Sequence, residues 1–322
     1  MKLGVLTVPL YGRPLADALT YLSDLGVQAV ELGTGGYPGK GHVDPNDYID
    51  YPEKVAQLQK MLADNHIVIS ALSCHGNPVH PVAEEAARYR ADYEKTLKLA
   101  QMLGVDTVVT FSGCPGGDPA AKSLSWVTCA WPNEYADTLK YQWDEVLIPY
   151  WKEAATQAKA HGVTHIALEM HPGFCVYNPA TLMRLRDAVG DVIGANYDPS
   201  HMLWQGISPA ESVKYLAGAI YHVHAKDTYL DPSNIARFGV LDTKAYGDML
   251  NRSWTFRTVG YGSDPKMWKD FISALKMTGY DGAVSIEHED PLMSVTEGLE
   301  KAIAFLKDVL VFENPEGGMW WI

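Results

Sequence analysis

Two hydrophobic rhythms alternate along the chain. A stretch with apolar residues at helical spacing gives way to Gly or a polar break, then to a short β-branched run that ends in polar residues. Arg13 to Leu25 carries Leu15, Leu19, Leu22 and Leu25 at that spacing and leads into VQAVELG. The step recurs from Tyr51–Asn65 into HIVISALSCHG, from Glu84–Leu103 into GVDTVVTFSG, and from Gln142–Ala160 into GVTHIALEM. Asn178-Pro179, Ser208-Pro209 and Asp264-Pro265 each place a capping side chain before a proline suited to the first helical turn. The helices they open run into VIGANYD, AIYHVHAKD and GAVSIEHED. With a first strand in MKLGVLTVPL and a last helix over Thr296–Leu310, the pattern predicts eight strands, each followed by a helix. A chain of 322 residues accommodates this as one α/β domain, a (β/α)8 TIM barrel over 1–312 with a C-terminal tail over 313–322; a doubly wound open sheet is the competitor.

The fifth of these strands shows the clearest change of polarity. Val163, Ile166, Ala167 and Leu168 are apolar enough to be buried on both faces, as a strand covered by helices must be. Glu169 and His171 follow, two apart, and share one face if the extended conformation persists. A buried carboxylate needs a cation or a strong donor, so Glu169 requires a partner.

The loops after the strands are the long ones, notably 33–50, 113–135 and 226–261. In a barrel these lie at the C-terminal strand ends, where active sites form. They carry Tyr37, Trp126, Trp131, Tyr229, Trp254 and Phe256, suited to a sugar-stacking wall, a subunit contact or packing on one another.

Charge narrows the partners. A formal charge of −13 lacks the basic footprint that nucleic acid or an anionic membrane requires. It favours a neutral small substrate or a cation. No run approaches a transmembrane span, and the opening MKLGVLTVPL is too short for a secretory apolar region. Cys74, Cys114, Cys129 and Cys175 form no CxxC pair, which fits a reduced cytoplasmic protein.

Read together, the later strands end in Glu169, Asp198, His224 and Glu287. In a closed barrel these converge, and three carboxylates at such range need a divalent cation to stay ionised together. An oxygen-rich set with one nitrogen suits Mn²⁺, with Mg²⁺ and Co²⁺ as alternatives, better than a closed structural zinc site. His75 and Glu31 lie at the same end and suit a sugar hydroxyl or a plain turn. Lys226 and Arg257 suit an anionic or hydroxyl-rich substrate, or neutralise the site acids. His222, two residues before His224, suits a core position one layer deeper.

The motifs ALEMHPG, NYDPSH, HVHAKD and SIEHED, with VGYG and then Trp268, resemble the xylose-isomerase-like barrel superfamily of sugar isomerases and epimerases over nearly the whole chain. The resemblance to its metal-dependent ketose 3-epimerases implies a metal on Glu169, Asp198, His224 and Glu287, with the two glutamates also moving protons on opposite faces of the sugar carbon. It further implies His201 on a substrate hydroxyl. Cys175 and Leu230 stand where those epimerases have a substrate-binding Glu and Arg.

These residues suit a metal-dependent isomerase or epimerase that removes a proton next to a sugar carbonyl through an enediolate. His171 is the base if both glutamates are taken up by the metal. A second reading keeps metal and base but expels a leaving group, as a lyase or dehydratase on an oxidised sugar or cyclitol, including 3-oxo-glycosides. A non-catalytic sugar-binding barrel is the third, and the retained ligand set argues against it. Trp320 and Trp321 suggest a homo-oligomeric contact, and a small partner subunit that completes the site is compatible with the sequence.

Overall fold

The computed structural model describes residues 1–314. Ten strands form in chain order: β1 (Lys2–Leu6), β2 (Ala29–Gly33), β3 (Val68–Ser73), β4 (Thr107–Phe111), β5 (His165–Glu169), β6 (Ile193–Tyr197), β7 (Ile220–Ala225), β8 (Asp227–Leu230), β9 (Trp254–Arg257) and β10 (Ala283–Ile286). Eight of them close a parallel barrel in the order β1-β10-β7-β6-β5-β4-β3-β2, so the chain folds as a TIM barrel and not as an open sheet. Strands β2, β4 and β6 are buried along their whole length, as a sheet covered by helices demands.

The helices are α1 (Leu15–Asp24), α2 (Pro52–Asp64), α3 (Ala83–Leu103), α4 (Asn133–Lys140), α5 (Ile148–Ala160), α6 (Pro179–Val189), α7 (Pro199–Trp204), α8 (Pro209–Tyr215), α9 (Pro232–Phe238), α10 (Pro265–Met277) and α11 (Val295–Val309). The capping signals act as expected: the side chains of Asn178, Ser208 and Asp264 each accept a first-turn N–H, from Thr181, Glu211 and Lys266. The main core lies between barrel and helices, where Leu19, Leu22, Trp151, Trp268 and Phe271 are fully buried. A small separate cluster of Ala71, Val109 and Ala167 holds the two-residue alternation below Glu169, inside the barrel.

Three segments differ from the hydrophobic pattern. The helix expected to open at Gln142 begins at Asn133 and passes through a π-helical stretch, Tyr141–Leu147, before α5. Helix α4 buries none of its residues fully and meets the core only through the half-buried Leu139. The stretch 226–261 is not a plain loop, since β8 and β9 pair antiparallel and α9 lies between them. Its Trp254 and Phe256 form a satellite cluster with Trp204 of α7, and the Trp204 and Trp254 rings stack with centroids 4.7 Å apart. Strand β5 stops at Glu169, and His171 follows in an unpaired stretch just before the Pro172-Gly173 turn, with a ring nitrogen still within 4.8 Å of the Glu169 carboxylate. Trp320, Trp321 and all but the first two residues of the tail over 313–322 lie outside the described residues.

Candidate metal centre

At the C-terminal mouth of the barrel, Glu169 ends β5, Asp198 follows β6, His224 is the penultimate residue of β7 and Glu287 follows β10. Each offers a donor atom, and these atoms lie within 4.8 Å of one another. Glu169, Asp198 and His224 are buried, and Glu287 is the most open, its side chain 17% exposed. Asp198 has two tasks: Oδ1 accepts the Ser200 N–H at 2.8 Å and caps α7, while Oδ2 lies in an ion pair 3.2 Å from the Lys226 ammonium and has no further hydrogen bond. Likewise His224 Nδ1 sits 3.3 Å from both Glu169 Oε2 and Glu287 Oε2 without a hydrogen bond. Three carboxylates converging on a buried imidazole nitrogen that makes no hydrogen bond fit a cation.

A second tier holds these groups. The Nε2–H of His224 donates to Glu31, 2.9 Å from Oε2, and the Ser73 hydroxyl donates to the same carboxylate. Glu31 is therefore not a substrate-facing turn residue; it is fully buried beneath His224. Burial alone would raise its pKa, but the charges of His224 and His222 overcome this and bring it down to about 2. His222 is a satisfied core histidine, its Nδ1 on Asn196 Oδ1 at 2.9 Å and its Nε2 on Ser70 at 3.1 Å. Asn196 in turn donates to Glu169 Oε2 at 3.2 Å. The sheet register shifts at Val30/Glu31 and again at Ala195/Asn196, irregularities of the kind that re-aim a side chain.

Glu169 is the most heavily bonded of the set. Besides Asn196 it accepts the Nε2–H of His75 at 2.9 Å and that of His201 at 3.1 Å. Burial would raise its pKa, yet the three imidazoles hold it well below the ordinary range. The structure thus places His75 and His201 against the central carboxylate. His171 packs on His201 with ring centroids 4.1 Å apart, and its Nδ1–H donates to the Pro172 carbonyl at 2.6 Å, which leaves Nε2 bare. Burial, with the His201 charge next, lowers its pKa to about 3, so the ring is neutral at pH 7.

Lys226 is bonded to acids only: Glu287 at 2.5 Å, Glu289 at 3.1 Å and Asp198 at 3.2 Å. Arg257 stands further out, its Nε 3.0 Å from Asp290 and its ion pair with that residue rather than with the four converging groups. A cavity of about 620 Å³ opens beside the centre, lined among others by His171, Tyr246, Phe256, Glu289 and Met293. A second, of about 310 Å³, is lined by Trp126, Cys129, Cys175 and Arg184; neither has one of the four in its lining, and the larger adjoins the centre through His171, beside Glu169, and through Glu289, on Lys226. Sequence reading missed the part of Asn196 and of Glu289, although both lie inside quoted motifs, NYDPSH and SIEHED.

Fold and mouth together define a parallel (β/α)8 barrel with a cluster able to hold a divalent cation. The chain belongs to the xylose isomerase-like TIM barrel family, whose model matches residues 19–309. It is 40% identical over 312 residues to the uncharacterized protein YfiH of Bacillus subtilis (strain 168), covering 96% of this chain and 99% of that one. Among solved structures it is similar to the IolI protein with a bound zinc atom (TM-score 0.64, 20% identity, 96% and 98% of the chains covered). Similar too are the probable 3-DHS dehydratase AsbF of Bacillus anthracis (0.64, 16%, 95% and 99%) and D-psicose 3-epimerase of Clostridium cellulolyticum H10 with D-tagatose (0.63, 15%, 96% and 98%). At these identities the solved structures speak for the fold.

Proposed function

We propose that this protein is a divalent-metal-dependent sugar isomerase or epimerase that abstracts a proton next to a sugar carbonyl and works through an enediolate. The observation that carries the reading is the convergence of Glu169, Asp198, His224 and Glu287 within 4.8 Å, with the buried His224 Nδ1 left without a hydrogen bond between two of the carboxylates. Mn²⁺ suits this donor set best, with Mg²⁺ or Co²⁺ as alternatives. When bound, the ion supplies Lewis acidity to a sugar carbonyl and its neighbouring hydroxyl.

The chain's own groups then divide the work. Glu287, more open than Glu169, faces the mouth and moves a proton on one side of the sugar carbon. Glu169 or the bare Nε2 of His171 serves the other side. His75 and His201 hold the Glu169 carboxylate and turn their rings toward substrate hydroxyls. Lys226 and Arg257 bind outlying oxygens of the substrate as well as the acids they pair with. The protein is a cytoplasmic homo-oligomer whose partners are small sugars, with room for a small partner subunit at the mouth. Nucleic acid and membrane are not partners, in keeping with the charge of −13 and with no helix among the described residues long and apolar enough to cross a membrane.

The second reading is a metal-dependent lyase or dehydratase on an oxidised sugar or cyclitol, including 3-oxo-glycosides. One observation favours it: the cavity beside the centre has an apolar side of Tyr246, Phe256, Pro291, Met293 and Val295 that suits an aglycone. Metal analysis of the purified protein, followed by incubation with ketoses and 3-oxo-glycosides in D₂O, separates the two. Deuterium entry without loss of a group supports the isomerase; release of aglycone or water supports the lyase. Absence of bound metal and of exchange would overturn both. Light scattering reads the oligomeric state, and a monomeric mass would contradict that part.

A further inference from the structure

The cavity beside the centre is short of positive charge. Among the described residues no Lys or Arg lines it, whereas the carboxylates of Glu289 and Asp290 do. The cations nearest to it are already engaged. Lys226 is in contact with Asp198, Glu287 and Glu289, Arg257 is paired with Asp290, and the buried Arg252, 4.4 Å from the ring centre of Tyr246 on the wall, donates to the Trp254 and Lys244 carbonyls. The two imidazoles on the wall, His171 and His288, carry no fixed charge.

The balance does not change sign when a dication is counted. Glu169, Asp198, Glu287 and Glu289 bring four negative charges; Lys226 and a dication bring three positive ones. Glu31, fully buried below, adds to the negative side. Of these carboxylates Glu289 is the most exposed to water, its side chain half exposed on the cavity wall. It is spaced two residues from Glu287, so an extended stretch carries both to the same side. A phosphorylated or carboxylated substrate entering here meets a carboxylate with no free guanidinium or ammonium to answer it.

We infer that Glu289 is a specificity-determining residue that restricts this site to uncharged sugars and sugar derivatives and excludes their phosphate esters. The inference rests on the sugar reading above and names the class of substrate within it. Repulsion of this kind selects by penalising the wrong ligand rather than by improving the right one.

The test is calorimetric binding of D-fructose and D-fructose 6-phosphate to the Mn²⁺-loaded protein and to Glu289→Gln. In the natural protein the ester binds at least tenfold more weakly than the parent sugar. Glu289→Gln narrows that ratio by about tenfold, the scale expected for removing one charge near a dianion at a partly wet site. Raising the salt narrows the ratio in the natural protein and leaves the variant nearly flat, because only exposed charge repulsion is screened. Thermal unfolding of the variant shows whether it is folded, and Glu289→Lys, which should reverse the preference, provides a second reading. An ester that binds as tightly as the parent, or a ratio unmoved in both variants, overturns the inference and leaves the sugar reading standing. Failure of both ligands to bind a metal-loaded protein overturns the sugar reading and the inference with it.

Discussion

His224 and Glu31 are joined through the imidazole Nε2–H, 2.9 Å from the Glu31 carboxylate, and this bond decides which nitrogen of His224 faces the mouth of the barrel. With Nε2 committed below, Nδ1 is left between Glu169 and Glu287. When the ring gives up its second proton, the one kept is on Nε2 and the lone pair falls on Nδ1, so a carboxylate buried in the barrel sets the tautomer a cation needs.

Glu31→Gln should weaken metal binding by roughly 10- to 100-fold, the usual effect of losing an anionic partner behind a ligating imidazole. Titration calorimetry with Mn²⁺ measures this directly. Glu31→Asp should recover part of the loss; metal affinity equal to that of the natural protein in Glu31→Gln would show that the contact has no such role.

Asp198→Ala and His224→Ala each remove one of four converging donors and should lower metal content sharply and abolish turnover. The two differ in stability. Asp198→Ala also removes the α7 cap and should cost roughly 0.5–2 kcal/mol in thermal unfolding. Full metal occupancy in both variants would sink the ligand assignment.

Metal affinity should rise with pH. Burial by itself would lower the His224 pKa, but the charges of Glu31 and Glu287 overcome it and hold the ring well above its ordinary value. A proton must leave before the ring ligates, so binding tightens by about tenfold per pH unit for each proton released. Calorimetry at pH 6, 7 and 8 in buffers of different ionisation enthalpy reads both the trend and the protons. Affinity that is flat or falls with pH contradicts it.

His171→Ala separates ligand from base. If His171 moves the proton, the variant keeps its metal and binds sugar but loses most solvent deuterium exchange, whereas Glu169→Ala loses metal and exchange together. The geometry allows this because His171 Nε2 is bare while Glu169 accepts three N–H groups. Exchange retained in His171→Ala gives the proton to Glu169 or Glu287 instead.

The insertion between β8 and β9 is tied by Asp242, whose carboxylate accepts the N–H of Ser253 at 2.7 Å and that of Lys244 at 3.0 Å. Burial opposes its charge, but these bonds bring its pKa down to about 2. A depressed carboxyl stabilises the fold above the unfolded value of roughly 3.9 and stops doing so as pH falls through about 2. Asp242→Asn should therefore speed proteolytic nicking of 231–253 several-fold at pH 7, with the difference from the natural protein shrinking as acid is added. Equal nicking rates at pH 7 would exclude the role.

The amino-acid sequence by itself determined the alternation of helix and strand, the barrel, and the four strand ends that meet at its mouth. These are written in local periodicity: burial on two faces makes β5 read HIALE, and a cap before a proline opens α6, α8 and α10 wherever the chain later goes. Helix α4, with no fully buried residue, left no such mark. Only the tertiary structure decided what lies beneath and beside the mouth. Glu31 and His224 are 193 residues apart, and nothing near either announces the other until closure of the barrel brings their strand ends together. His171 likewise lies on the side of Glu169, as the two-residue spacing allows, but its contact with His201, thirty residues on, waits for the next strand to pair. Periodicity records which face of an element is buried; the partner met on that face is fixed by closure and by the register shifts at Glu31 and Asn196, which no local pattern encodes.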